Sequence, residues 1–580
     1  MTHRGKEIFS AILDSPQNPT DFIARHNGER VEIKRSSPAE IGCLAALTPR
    51  QMQSIQDRMI FNAMTRGIKV LQVTMAAWAS VRCLQGNSGI LENIGLALLV
   101  PVLWWCLDAS HRRQVNDRMR KHWDQCLAYP TRSLRLPWRA TLVTIVFPLA
   151  MLYGTKGLEI GSADPHPVSL VMGSGDTRPV ILAAASLILE RDWELSEYLP
   201  NSEEEDPFPY WFLRTPGGVY SSYPSGMVIL ALPVTAAARL AGAQFDQPQV
   251  RFRLEKLAAS AVAIVALGLF FLIALHLVPA GPAWVATMFL GVGSAMYSTV
   301  GQALWQHDGV ILGGLVILLV EFRAARRPGR FDTWIQGGAC ALMLACRLSA
   351  FVFIVPFGVW VLLRSPGRAI RLGLVTALAI LPWMLMNWLI YQNLTGPSAD
   401  QMSSRLWGGP GAALDGVLLS PGRGLLIYQP WIVLALLAAI PSVRRRIPAP
   451  EAKYLPRGWI LFCLMVTALQ LALVSSWGMW WGGHCWGSRL ASEIVPLLGL
   501  LCLPAIAALF QTWRGKLILL LFLVVSALMH LPPVFLHPPS WNVYAEVDQH
   551  PERLWSWSDP PFLSPFRERD RPPWPSETRR

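Results

Sequence analysis

Charge is scarce in this chain. Only 15% of its 580 residues are Asp, Glu, Lys or Arg, against 52% hydrophobic residues and 25 tryptophans, a composition too oily for a soluble protein of this size. Motifs are scarce as well. Neither a phosphate-cradling Walker loop nor a dinucleotide fingerprint occurs, which argues against an ATP-driven pump acting by itself. No internal repeat is evident. The nine cysteines show neither metal-ligand spacing nor a disulfide framework. Cys83, Cys106, Cys340, Cys346, Cys463 and Cys502 lie in or beside apolar runs as small fillers, and Cys485 stands alone in an expected outer loop. Residues 1–59 are polar and mixed in charge and do not read as a cleavable signal.

What the chain does have is long apolar runs. Windows such as 88–108, 253–278, 370–392, 457–475 and 489–511 reach the roughly 20 residues that a bilayer crossing needs. They lack strict alternation, which favours helices over a barrel. The expectation is an all-α polytopic membrane protein with roughly 11–13 transmembrane helices. The net charge of +13 could point to nucleic acid, but its placement points to topology. "HRRQVNDRMRK" (111–121), "RAARRPGR" (323–330), "RSPGRAIR" (364–371), "VRRRIPAPEAK" (443–453) and "WRGK" (513–516) sit between apolar runs as cytoplasmic loops under the positive-inside rule. Residues 156–221, with the acidic "NSEEEDPF" at 201–208, then face outward.

Threading the chain through these constraints gives an N-terminal cytoplasmic segment with a hydrophobic hairpin (60–82 and 88–108) within residues 1–130. A transmembrane domain follows over 131–531, and a Pro- and charge-rich outer tail over 532–580. Residues 140–155 cross outward into a large first outer loop, 156–252, where 180–190 and 223–242 are expected as interfacial helices. Crossing resumes at 253–278, with further spans near 281–298, 309–323, 333–348, 349–364, 370–392, 424–442, 457–475, 489–511 and 516–531.

On that path, polar groups from distant segments meet at the outer face. They are Asp176 and Arg178 in "GSGDTRP" (173–179), His307 and Asp308 in "WQHDG" (305–309), and Arg347. Arg405 in "DQMSSRLWGGPGAALDG" (400–416), Arg423 in "SPGRG" (420–424), and His484 and Arg489 in "SWGMWWGGHCWGSR" (476–489) join them. Such convergence at one membrane face is a candidate site by default. Each member also has a plainer reading. Asp176 can cap the helix that Pro179 opens, and His307 and Asp308 can be interfacial polar groups beside Trp305. Any single Arg can snorkel to headgroups. Trp480, Trp481 and Trp486 can anchor the interface rather than stack on sugar, and the Gly-Pro stretches can simply be turns.

The ordered set "GDTRPVILAAASLILERDWELSEY" (175–198), "RTPGGVYSSYPSG" (214–226), "LWQHDGVILGGL" (304–315), "LSPGRGLLIYQPW" (419–431) and "WWGGHCWGSRLASEIVPLL" (480–498) resembles the bacterial GT-C glycosyltransferases. These are polytopic enzymes that take a sugar from a polyprenyl-phosphate donor on the outer leaflet. The resemblance spans residues 135–531. It implies an enzyme of the bacterial cytoplasmic membrane, multi-pass, with its active site on the outer face and a cell-envelope glycan, lipid or protein as acceptor.

Asp176 matches the position of the family's catalytic carboxylate and is expected to act as general base in an inverting transfer. The resemblance places His307 or Asp308 against acceptor or sugar. For the phosphate, the planar fork of Arg is apt: Arg347 first, then Arg405, Arg423 and Arg489, with Arg178 and His484 also facing substrate. No cofactor is required; a divalent metal stays open, because Asp176, His307 and Asp308 show no fixed ligand spacing. No nucleic-acid partner is expected. The competing class is a transporter or flippase of a lipid-linked or small polar substrate. It should show mid-membrane ionisable groups and an inverted repeat, and the sequence displays neither plainly.

Overall fold

A bilayer offers the backbone no water, so a chain this apolar satisfies its amides within helices, and helices carry most of the described protein. The computed structural model describes residues 24–26, 29–31, 175–199, 208–397, 411–437, 456, 458–531, 534, 540–543 and 546–566. The expected hairpin at 60–82 and 88–108, the span at 140–155, the basic stretches 111–121 and 443–453, the acidic residues 201–207 and Arg405 lie outside the described residues. So do parts of the tail, including 567–580. The chain divides into two units, Met1–Gln85 and Gly86–Arg580. In the first, the described residues form an antiparallel pair, β1 (Ala24–His26) and β2 (Glu29–Val31), with Ala24 opposite Val31.

The second unit opens its described part with a small layer. Helix α1 (Arg178–Leu189) starts at Thr177 with proline in its first turn, where a missing N–H costs nothing. Its 12 residues span about 18 Å, too short to cross a bilayer. It packs on α2 (Gly226–Leu240) and on the start of α3 (Pro248–Ala274), around Val180, Ile181, Met227, Val228 and Leu254. Helices are thus present where they were expected at 180–190 and 223–242, as α1 and α2.

Between them runs a hairpin, β3 (Phe212–Thr215) and β4 (Gly218–Ser221), with Phe212 opposite Ser221. Glu194 clasps it: Oε1 accepts the Val219 amide at 2.6 Å and Oε2 the Ser196 amide at 2.9 Å. Gly218 has φ +135°, and a Cβ there would lie 2.6 Å from Glu194 Oε1, so only glycine fits. Burial would raise the Glu194 pKa, but the Ser196 hydroxyl and the Val219, Ser196 and Leu195 amides outweigh it and hold it below the ordinary carboxylate range. A depressed folded-state pKa stabilises above the unfolded value, and that contribution disappears as pH falls through the folded one. Protection of the Val219 amide from hydrogen exchange is therefore expected to drop on acidification below the usual Glu range. In Glu194→Gln it should be weak at every pH.

The bundle proper contains α3, α4 (Ala280–Val292), α5 (Gln306–Ala324), α6 (Asp332–Cys346), α7 (Phe351–Leu362), α8 (Pro366–Tyr391), the short α9 (Leu414–Leu419), α10 (Trp459–Ser475), α11 (Val495–Phe510) and α12 (Trp513–His530). Among the described residues, four segments are long and apolar enough to cross a membrane: α3, α8, Arg489–Phe510 and α12. Burial separates them by place. The apolar windows of α3 and Arg489–Phe510 are 67% and 78% buried, whereas those of α8 and α12 are 17% and 22% buried. The first pair is central. The second turns Leu374, Leu378 and Leu385, and Leu517, Leu521 and Leu528, outward, a surface suited to acyl chains. Stacked rings fill the centre, Phe289 on Trp431 at 5.5 Å and Trp360 on Phe462 at 4.9 Å.

One expected span takes a different form. Residues 424–442 were expected as a continuous helix; in the described part the chain makes a turn at Leu425–Tyr428, a tighter turn at Pro430–Val433 and a short helix at Leu434–Leu437. Pro430 is the cause. It disfavours helical torsions at Gln429, which sits at φ −132° and ψ 63°, and it supplies no amide to bridge the break.

Candidate active site

Helices α5 and α6 fix the geometry. Helix α5 starts at the "WQHDG" turn and ends in the basic "RAARRPGR"; α6 returns from Asp332 to Arg347. The basic stretches and the polar cluster therefore occupy opposite ends of this pair. At the basic end Glu321 accepts from Arg364 at 2.7 Å and pairs with Arg368, while Arg323 pairs with Asp332. At the other end the candidate site assembles.

Thr177, not Asp176, holds the N-cap position of α1 and makes no side-chain cap bond; the Asp176 carboxylate has partners from other segments. Oδ1 accepts the Tyr223 hydroxyl at 2.7 Å and the Tyr210 hydroxyl at 3.3 Å; Oδ2 pairs with Arg489 Nη1 at 3.2 Å. Burial, and then the neighbouring Asp176 carboxylate, hold the Tyr223 phenol far above its usual range, so it remains a donor to that carboxylate. Gly175 is required by the same contact, because a Cβ there would run into the Tyr210 ring and hydroxyl. Behind the loop, Thr177 bonds the side chain of Glu255 on α3, whose Oε1 also takes the Leu304 amide at 3.3 Å. The carboxylate is pinned from both sides.

Arg489 opens a six-residue 3-10 turn, Arg489–Ile494, before α11. Its guanidinium lies 4.2 Å from the Trp305 ring centre and its Nη2 donates to the Gly482 carbonyl at 2.7 Å. One turn further, Glu493 accepts from His307 Nδ1 at 2.7 Å and faces Arg347 Nε at 3.5 Å. Arg347, extended at φ −161° just past α6, also donates from Nε to Ser349 at 2.6 Å and reaches His307 Nε2 with Nη1 at 3.0 Å. Asp176 and Arg489 both act electrostatically on Arg347. The structure thus brings Asp176, Arg489, Arg347 and His307 into one polar cluster, with Tyr223, Tyr210, Trp305 and Glu493.

The remaining sequence candidates sit differently. Arg178 is exposed with its guanidinium 4.6 Å from the Trp211 ring. Asp308 is 1% exposed and turned inward beside Glu255 and Cys346, its oxygens meeting no hydrogen-bond partner among the described residues. Arg423 is 2% exposed and donates to the carbonyls of Gly422, Trp481 and Gly483 and to Asn542, which joins three chain segments. His484 faces Glu546 and Asp548 of the C-terminal segment. Tyr223 and Glu493 went unforeseen. Glu493 had a signal: an acid four residues after Arg489, leading into an apolar run, is costly unless partnered. Tyr223 had none.

Glu493 also lines a narrow apolar crevice of about 20 Å³ between α5, α7, α10 and the 3-10 turn, past Ile311, Leu315, Phe353 and Val466.

Fold and site define a multi-pass helical membrane protein with a carboxylate and arginine cluster at one end of its bundle. No family model matches the chain, and no curated protein matches it. Among solved structures, the oligosaccharyltransferase of Archaeoglobus fulgidus in the apo form is similar, with a TM-score of 0.40 and 11% identity over 76% of this chain and 62% of that one. The chain therefore spans less than two thirds of that enzyme's length.

Proposed function

We propose that the chain is a GT-C-type glycosyltransferase that moves a sugar from a polyprenyl-phosphate donor to a cell-envelope acceptor at the outer face of the cytoplasmic membrane. The observation that carries this reading is the Asp176 carboxylate, oriented by Tyr223 and Arg489 at 2.7 and 3.2 Å beside a second arginine. In the reaction, the acceptor oxygen attacks the anomeric carbon while the bond from that carbon to the phosphate oxygen breaks. Asp176 takes the acceptor proton and the polyprenyl phosphate departs with the bonding electrons. Arg489 and Arg347 meet the phosphate charge as it develops, and Glu493 holds Arg347 and His307 in register. A base so placed contributes about 10²–10⁴-fold.

A transporter or flippase would draw support from the buried Glu255 and Lys256 on α3. Both are tied locally, Glu255 to Thr177 and Leu304 and Lys256 Nζ to Gln302 at 3.2 Å, at the end of the helix that backs the site. Reconstituted protein given polyprenyl-phosphate sugar and envelope acceptor separates the readings: a transferase releases polyprenyl phosphate and glycosylates the acceptor. Relocation of intact donor across the vesicle, with no phosphate released, overturns the proposal.

A further inference from the structure

We propose that His484, Glu546 and Asp548 form a binding site for a divalent cation of the zinc class, which clips the C-terminal segment onto the loop between Trp481 and Arg489. It stands independently of the transferase reading. One imidazole nitrogen and two carboxylate oxygens, from segments about 60 residues apart in sequence, converge with all donor atoms within 4.8 Å of one another. His484 Nε2 lies 3.8 Å from Glu546 Oε1 and 3.9 Å from Asp548 Oδ2. Those separations are too long for hydrogen bonds. They are close to the spacing of donors around a shared ion, which is about 3.3–3.6 Å for tetrahedral zinc with bonds of about 2.0–2.2 Å.

The carboxylates are also built as ligands. Asp548 Oδ1 accepts from Trp481 Nε1 at 2.7 Å and Glu546 Oε2 accepts from Gln549 Nε2 at 2.8 Å. Each acid therefore has one oxygen held by a donor outside the trio and its other oxygen turned toward the same imidazole nitrogen. Outer hydrogen bonds of this kind orient metal-binding carboxylates. Nitrogen with two oxygens suits zinc or manganese better than calcium, which prefers more oxygens. Partial exposure, 33–46% for the three side chains, leaves room for water as a fourth ligand and a path for entry. The clip would steady Gly482, the residue whose carbonyl receives Arg489.

The test uses full-length, tag-free protein in lipid nanodiscs, stripped with chelator and titrated with Zn²⁺, with bound metal counted by mass spectrometry. One zinc per chain is expected to bind in the micromolar range or tighter. His484→Ala, Asp548→Asn and Glu546→Gln should each lower the affinity at least about tenfold. The three side chains are partly exposed, so folding is expected to survive; thermal melting in the absence of zinc, unchanged from the parent, checks this. Zinc should also slow proteolysis within 546–566 in the parent and not in the variants. Equal zinc affinity in parent and variants, or no zinc bound by the parent at micromolar concentration, overturns the assignment.

Discussion

Asp176→Asn is expected to slow sugar transfer by about 10²–10⁴-fold while the protein accumulates at its normal level. The substitution is close to isosteric, and the amide oxygen can still accept the Tyr223 hydroxyl that now sits 2.7 Å from Oδ1. It removes two things: the capacity to take a proton and the negative charge facing Arg489 at 3.2 Å. Loss of the charge alone would release Arg489 and, if anything, strengthen its grip on an anionic donor. A fall in turnover together with unchanged or tighter donor binding would therefore mark the missing proton acceptor. A helix cap would have behaved otherwise, since Asn caps as well as Asp. The position of Thr177 at the N-cap already frees Asp176 from that duty. Turnover of the Asn variant at the parent rate would remove the carboxylate from the mechanism.

Neutralising the arginines should act on the donor. Arg489→Gln and Arg347→Gln each delete charge-assisted hydrogen bonds worth about 1.5–3 kcal/mol. That corresponds to roughly 10- to 150-fold in kcat/KM measured against the polyprenyl-phosphate donor. Apparent affinity for the acceptor should move by much less. Arg489→Lys should recover only part of the loss, because an ammonium cannot span Asp176, the Gly482 carbonyl and the Trp305 face as the planar guanidinium does. Arg489→Gln carries an added cost, because it removes a cation from Asp176, whose side chain is only 21% exposed. Equal losses for donor and acceptor would count against a phosphate-binding role.

The helical, multi-pass class was legible because it follows from local rules: apolar runs of bilayer length and basic stretches between them. The short helix after Asp176 was legible too, since Pro179 and a brief apolar run mark both its start and its failure to span. Pairings across the bundle were not. Tyr223 reaches Asp176 over 47 residues and Arg489 reaches it over 313, and no periodicity records such meetings. Arg423 shows the opposite limit. Its Gly-Pro context suggested a turn at the outer face and Arg423 a phosphate ligand, whereas the turn is covered by the C-terminal segment, with Gly422 packed on Leu554 and the guanidinium between backbone carbonyls. The break at Pro430 was readable in principle, but the apolar run around it masked the signal.

The central claim is that Asp176 and its arginines lie on the non-cytoplasmic side of the membrane. Glu197 is exposed in the same loop, shortly after α1, and a cysteine placed there reports that side directly. In intact spheroplasts, a membrane-impermeant maleimide is predicted to label Glu197→Cys above the level of the parent chain without permeabilisation. Labelling that appears only after the membrane is opened would place the cluster in the cytoplasm and contradict the account.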